Sequence, residues 1–304
     1  MLATIHGASI SCFVYTMEIL SAEMRTPLGI MLNIFGAFGF MTMSLLAMVT
    51  YHWFDISLMI SFYPLMMCFV FPFIPESYRW YFSKGRFEEG ARTLESFSKR
   101  CGRQIHPDTI DRLRKQNSPE ELNSDKIYTM VDLFRYPNTR LTTFKMAYIW
   151  FATMMTYYVL CLQEMPGFLP VNNIINGVME MAIIPLAFIS RKSWCRRSIV
   201  SGICLIIGGV IIIICALLEL LETEEADMTS RCLSFIGRAI MSILVALMYI
   251  YSAEIYPTVV RNCGLGLCSI FGRIGAMLGP QIIKFSNMPG IIIGLITLLG
   301  GVIR

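Results

Sequence analysis

The sequence predicts an all-α membrane protein whose helices cross a bilayer about nine times. Three observations predict it. The 304 residues have a mean hydropathy of +0.60 and are 55% hydrophobic, against roughly 45–50% in soluble domains. Apolar runs of about 20 residues, the length a helix needs to cross the hydrocarbon core, recur along the whole chain. Basic residues fall on every second connection between those runs, the pattern of cytosolic loops.

The runs are Met1–Met17, Pro27–Trp53, Ile56–Pro75, Met146–Cys161, Pro166–Ile189, Ser198–Leu218, Cys232–Ala253, Asn262–Ile283 and Phe285–Ile303. Helix is the reading each requires, because lipid satisfies no backbone donor or acceptor and the runs are too long for barrel strands. Arg25, the region from Arg79 to Arg140, the cluster Arg191, Lys192, Arg196 and Arg197, then Arg261 and Arg304 mark the cytosolic side. The alternate connections carry Asp55, Glu164 and the acidic run Glu219, Glu222, Glu224, Glu225 and Asp227, with Arg231 and Lys284 as basic exceptions. Met1 opens directly into an apolar run without a basic leader or cleavage site, so no secretory signal is read there.

One long hydrophilic insert interrupts the series. Between Lys84 and Arg140 lie 12 basic and 9 acidic residues, nearly half of the charged side chains. Lys84–Arg103 predicts an amphipathic helix, with Phe87, Ala91, Leu94 and Phe97 at helical spacing. It would lie along the membrane surface or brace the bundle from the cytosol. For Pro107–Asp125 a solvated linker is an equal reading. The expected organisation is a first helical group over residues 1–83, a cytosolic loop over 84–141 and a second helical group over 142–304.

Composition excludes several functions. A net charge of +4 with mixed signs in the insert does not fit nucleic-acid binding. The ten cysteines sit mainly inside apolar runs without a C-x-x-C pair, so neither a disulfide framework nor a zinc site is expected. The three histidines have no metal-ligand spacing, and no G-x-S-x-G, Walker loop or H-E-x-x-H occurs. The expectation is a non-enzyme without cofactors, whose surroundings are a lipid bilayer and a small solute. Oligomeric state has no signature here.

A short internal repeat is informative. Tyr15-Thr16-Met17-Glu18-Ile19 with Arg25 recurs as Tyr251-Ser252-Ala253-Glu254-Ile255 with Arg261. Both copies place Glu seven residues before Arg at the cytosolic end of a span, and a glycine-bearing span follows each. Parallel repeats of six spans are the plan of major facilitator transporters. On that plan the runs are spans four to twelve of a twelve-span bundle, the last cut short.

Three stretches resemble solute carrier family 22, the organic cation, anion and carnitine transporters. They are Pro75-Glu76-Ser77-Tyr78-Arg79-Trp80 with Lys84-Gly85-Arg86-Phe87-Glu88-Glu89, then Tyr249 to Asn262, and Trp150-Phe151-Ala152-Thr153 with Tyr157-Tyr158. The loop Arg191-Lys192-Ser193-Trp194-Cys195-Arg196-Arg197 departs from the family pattern in lacking its Asp and Gly. The resemblance implies secondary-active transport of small organic ions by alternating access at the plasma membrane. A chain lacking spans one to three could instead be a non-transporting partner of full-length copies.

The resemblance also implies a cytosolic gate of Glu18, Arg25, Glu76, Arg79, Arg196, Arg197, Glu254 and Arg261. Plain positive-inside anchoring is the competing reading for its arginines. Glu254 and Arg261 are two helical turns apart, about 10 Å along an axis at ~1.5 Å per residue, so each is expected to pair with a neighbouring helix. Arg273 lies 12 residues past Arg261, about 18 Å into its span and close to mid-membrane. A charge there costs ~2.5–3.5 kcal/mol on insertion scales, so it must face a partner or a wet cavity. Gly272 and Gly275 are expected to leave room beside it. In the family this position is Arg in anion and carnitine transporters and acidic in cation transporters. Arg238 and Glu180 also lie at membrane depth, either neutralising each other or touching substrate. Tyr157, Tyr158 and Phe151 are the expected aromatic lining. Gly275-x-x-x-Gly279 and Gly290-x-x-x-Gly294 predict close helix packing.

Overall fold

The computed structural model describes residues 2–20, 22–50, 52–83, 85–100, 102, 131–135, 137–163, 169–191, 197–257, 260–286 and 288–302. Among these residues helix is the only regular structure. The helices are α1 (Leu2–Ile19), α2 (Ala22–Val49), α3 (Trp53–Val70), α4 (Tyr78–Ser83), α5 (Phe87–Arg100), α6 (Asp132–Arg135), α7 (Pro137–Leu162), α8 (Leu169–Ile183), α9 (Arg197–Glu219), α10 (Glu224–Ile255), α11 (Arg261–Phe285) and α12 (Pro289–Val302). Among the described residues, each of the nine predicted runs is helical over most of its length. Four segments are long and apolar enough by themselves to cross a membrane: Met24–Val49, Ser198–Glu219, Glu224–Ile255 and Arg261–Phe285. Three shorter ones, Ser9–Ile19, Trp53–Phe62 and Pro289–Val302, are also apolar.

The other two runs are more polar because they are packed inside. Thr143, Thr153 and Thr156 of α7 are buried, and Thr156 shares a 2.6 Å hydrogen bond with Thr297 of α12. Along α8, Asn172, Asn176 and Glu180 form a buried stripe at i, i+4, i+8. A span shielded by its neighbours can carry such groups; a lipid-facing one cannot. On α3, by contrast, Trp53, Phe54, Leu58, Phe62, Leu65 and Phe69 are all exposed, as a lipid-facing helix requires.

Several element boundaries differ from the sequence expectation; α7, for one, starts at Pro137, nine residues before the expected Met146. The predicted single span Pro166–Ile189 is α-helical only to Ile183 and continues as 3-10 helix over Ile184–Arg191. Pro185 has no N–H and its ring crowds the carbonyl four residues earlier, which tightens the backbone at this point. Helix α10 starts eight residues before the expected Cys232, at Glu224. The Thr223 side chain accepts a hydrogen bond from the Ala226 amide, and Glu224, Glu225 and Asp227 sit at the positive end of the helix dipole. The amphipathic helix is present as α5 but is shorter at both ends than Lys84–Arg103. Gly85, at φ +74°, makes the left-handed turn that folds α5 back on α4 and buries Gly90 against Tyr81 and Phe82. Pro107–Asp125 lies outside the described residues.

Packing follows the glycines. Helices α7 and α11 lie tightly together: a Cβ on Gly275 would stand 2.3 Å from the Phe151 carbonyl oxygen, and one on Gly279 2.7 Å from Val159. Helices α9 and α12 meet where Gly294 approaches Ile213 and the Gly209 carbonyl, and Gly290 approaches Ala216. Both G-x-x-x-G pairs therefore seat a neighbouring helix, as expected. Gly272 does so too, against Met154 and Trp150, so the room expected beside Arg273 is taken by α7. Helix α2 packs on α8 and α10, and α1 on α11.

Candidate functional site

Two charged clusters stand out, one midway along the helices and one at the end that the positive-inside pattern assigns to the cytosol. The first gathers side chains from four helices. Tyr157 of α7 donates from its hydroxyl to Glu180 Oε1 of α8 at 2.7 Å. Arg238 of α10 donates from Nε to the same oxygen at 3.1 Å, and its Nη2 lies 3.5 Å from the Tyr157 oxygen. The guanidinium also lies over two rings, 5.3 Å from the Tyr157 centroid and 5.6 Å from that of Phe40 on α2. Glu180, Arg238 and Tyr157 are 4%, 3% and 7% exposed. Glu180 and Arg238 thus form a buried ion pair.

Arg273 is placed differently. It is exposed, halfway along α11, and its Nη1 lies 3.4 Å from the Tyr158 hydroxyl. The rings of Tyr157 and Tyr158 meet edge-on with centroids 5.5 Å apart, so consecutive tyrosines link the buried ion pair to the exposed guanidinium. Phe151 lies almost two turns away on α7, half-buried against Tyr148 with ring centroids 6.5 Å apart. It is not part of this cluster.

In the second cluster the two repeat copies meet. Glu18 Oε1 of α1 is 3.7 Å from Arg261 Nη1 of α11, and both side chains are buried. The Glu of the first copy thus pairs with the Arg of the second, and the expectation that Arg261 pairs across helices is met. Around them, the Tyr15 hydroxyl donates to the Pro75 carbonyl and Trp150 Nε1 donates to Ser252 Oγ at 2.9 Å. Arg25 and Arg79 are half-buried, Arg79 with Nε 3.3 Å from the Tyr78 hydroxyl, while Glu76 and Glu254 are exposed. Arg196 and the Arg197 side chain lie outside the described residues.

Sequence reasoning missed Phe40, Asn172 and Asn176. The two asparagines carried a signal, since with Glu180 they mark every fourth residue of an apolar run. Phe40 carried none, being one of 20 phenylalanines.

The model of the sugar (and other) transporter family matches residues 4–298. The chain belongs to this family. Its similarity to solute carrier family 22 runs the length of the molecule. An organic cation transporter protein of Drosophila melanogaster is 28% identical over 99% of this chain and 56% of its own length. Organic cation/carnitine transporter 2 of Mus musculus is 30% identical over 97% and 53%. Organic anion transporter 3 of Mus musculus is 30% identical over 84% and 48%. The chain therefore spans about half the length of the curated relatives it matches. As a member of the sugar (and other) transporter family with apolar spanning helices, it is an integral, multi-pass membrane protein of the major facilitator type.

Proposed function

We propose that the chain carries the ion-recognising part of a secondary-active plasma-membrane transporter of small organic ions. Anions and carnitine-like zwitterions are the favoured substrates. The observation that carries the reading is the exposed Arg273 guanidinium halfway along the spanning helix α11, beside a tyrosine hydroxyl. A cation is retained at such depth only where it meets a partner or solvent. Glu180 pairs with the buried Arg238, whereas Arg273 is exposed. The names of the relatives include cation, anion and carnitine transporters, which supports organic ions as the class without choosing a charge.

In this reading a carboxylate settles on Arg273 while its apolar body lies against Tyr158. Glu18 and Arg261, with the surrounding charges, latch the cytosolic ends; parting them opens the site inward, the alternation expected of two packings of similar energy. The test is uptake by cells expressing the chain. Arg273→Asp should lower uptake of a labelled organic monoanion at least about tenfold, the equivalent of one lost charge contact. Unchanged uptake and unchanged salt dependence would remove Arg273 from the substrate site. A correctly inserted chain that moves no ion of either sign would favour the second reading, a helical partner for longer copies.

A further inference from the structure

The cluster around Glu18 holds more positive than negative charge. Arg25 of α2, Arg79 of α4 and Arg261 of α11 stand close enough together to act on one another's charge. Glu18 is the carboxylate in reach of Arg25 and Arg261, and it already pairs with Arg261. Glu76 is exposed and in reach of Tyr15, while Glu254 is exposed and already engaged. Arg25 is left over. It is half-buried, and its Nε is shielded from solvent without an acceptor. Arg79 donates its Nε to the Tyr78 hydroxyl and makes no ion pair among the described residues. Just before it in the same segment, Ser77 is 4% exposed, and its hydroxyl is likewise buried without a partner.

We propose that Arg25, Ser77 and Arg79 form a binding site for a phosphate-class dianion at the end of the bundle that the positive-inside pattern assigns to the cytosol. Buried polar groups are nearly always hydrogen-bonded, and guanidiniums this close oppose each other unless a negative charge lies between them. Two buried polar groups without partners beside two like charges describe a receptor for an anion.

The donor set selects the chemistry. Arg25 and Arg79 bring two positive charges without a carboxylate of their own, matching the charge of a phosphate monoester or inorganic phosphate; chloride or a carboxylate brings one. Planar guanidinium forks fit the spaced oxygens of a phosphate, and the Ser77 hydroxyl donates to a further oxygen. Arg273 lies 12 residues beyond Arg261, about 18 Å along α11, so this anion and the transported ion occupy separate places. The phosphate is either free in the cytosol or the monoester of a phosphoinositide headgroup. In both cases it ties α2 to α4 beside the Glu18–Arg261 pair.

Thermal unfolding of the purified chain in phosphatidylcholine nanodiscs, at constant ionic strength, tests the site with inorganic phosphate as the probe and chloride as the control. Phosphate should raise Tm saturably, as a ligand of the folded state does, and chloride should not. Arg25→Gln and Arg79→Gln should each raise the half-saturating phosphate concentration at least about tenfold, the equivalent of one charge contact. Ser77→Ala should raise it about threefold, the share of one neutral hydrogen bond. Lys284→Gln, on an exposed side chain at the opposite end, should leave it unchanged. In phosphate-free buffer Arg25→Gln should keep or raise Tm, because it removes a charge that nothing balances. A Tm lowered there would make Arg25 a structural residue and overturn the assignment. So would the lack of a saturable rise in the wild-type chain, an unchanged response in Arg25→Gln, or an equal loss in Lys284→Gln. Nanodiscs containing phosphatidylinositol 4-phosphate identify the source. If the lipid carries the group, they raise Tm by themselves and suppress the response to free phosphate; if the anion is soluble, that response persists.

Discussion

Glu180 is a carboxylate that two other groups depend on. Its Oε1 takes both the Tyr157 hydroxyl and the Arg238 guanidinium, with all three side chains buried. Removing one member of a buried pair leaves the other charge uncompensated, at about 3–5 kcal/mol, whereas replacing both with apolar groups is often neutral. Glu180→Gln should therefore lower the stability of the purified chain by several kcal/mol. The double variant Glu180→Met, Arg238→Met should recover most of it, as thermal unfolding in detergent will report. Near-wild-type unfolding of Glu180→Gln would show the pair to be dispensable. The sequence displayed these two charges plainly, because nothing else in their apolar runs resembles them. It could not display their pairing, since contact across 58 positions depends on how α8 and α10 are rotated about their axes. Tyr157 was legible as a site residue, but its hydroxyl turns to Glu180 rather than outward.

Helix contacts were legible where a glycine spacing stood for a backbone approach. Gly275 against the Phe151 carbonyl leaves no space for any side chain, and the obstacle is backbone, which cannot swing aside. Gly275→Val should cost about 1–3 kcal/mol through overpacking. Gly36→Val, at a position with nothing within 4 Å of an added Cβ, should leave the same melting transition in place. Similar losses in both would mean that the two glycines matter for some reason other than packing. Among the described residues, the helices at the nine apolar runs were readable from hydropathy because the bilayer demands internal hydrogen bonding of every span. The end of α8 was not read, though Pro185 marked it, because hydropathy is blind to backbone geometry. The early start of α10 was also missed: the acidic run looked like a loop, yet those carboxylates and Thr223 are what a helix start favours.

On the scale of the whole molecule, the Glu18–Arg261 pair joins the first repeat copy to the second. Contact between groups 243 positions apart makes charge reversal informative. Glu18→Arg brings two guanidiniums together and Arg261→Glu two carboxylates, while the combined exchange restores opposite charges. A double-mutant cycle on thermal stability should show a coupling of about 1–3 kcal/mol; additivity within about 0.5 kcal/mol would dissolve the latch. The repeat was visible in the sequence, but which Glu met which Arg was not, because the copies are identical in spacing and only the docking of α1 on α11 distinguishes the choices. Helix α10 has a consequence for any such opening. It runs without a break for 32 residues, about 48 Å at the standard rise and longer than the hydrocarbon layer. Arg238, fastened to Glu180, lies near its middle, so the helix behaves as a beam on a central bearing. A tilt of about 10° there would carry its two tips some ~4 Å in opposite senses, given the ~1.5 Å rise that sets the arm lengths. One face of the membrane could not loosen around this helix without the other tightening.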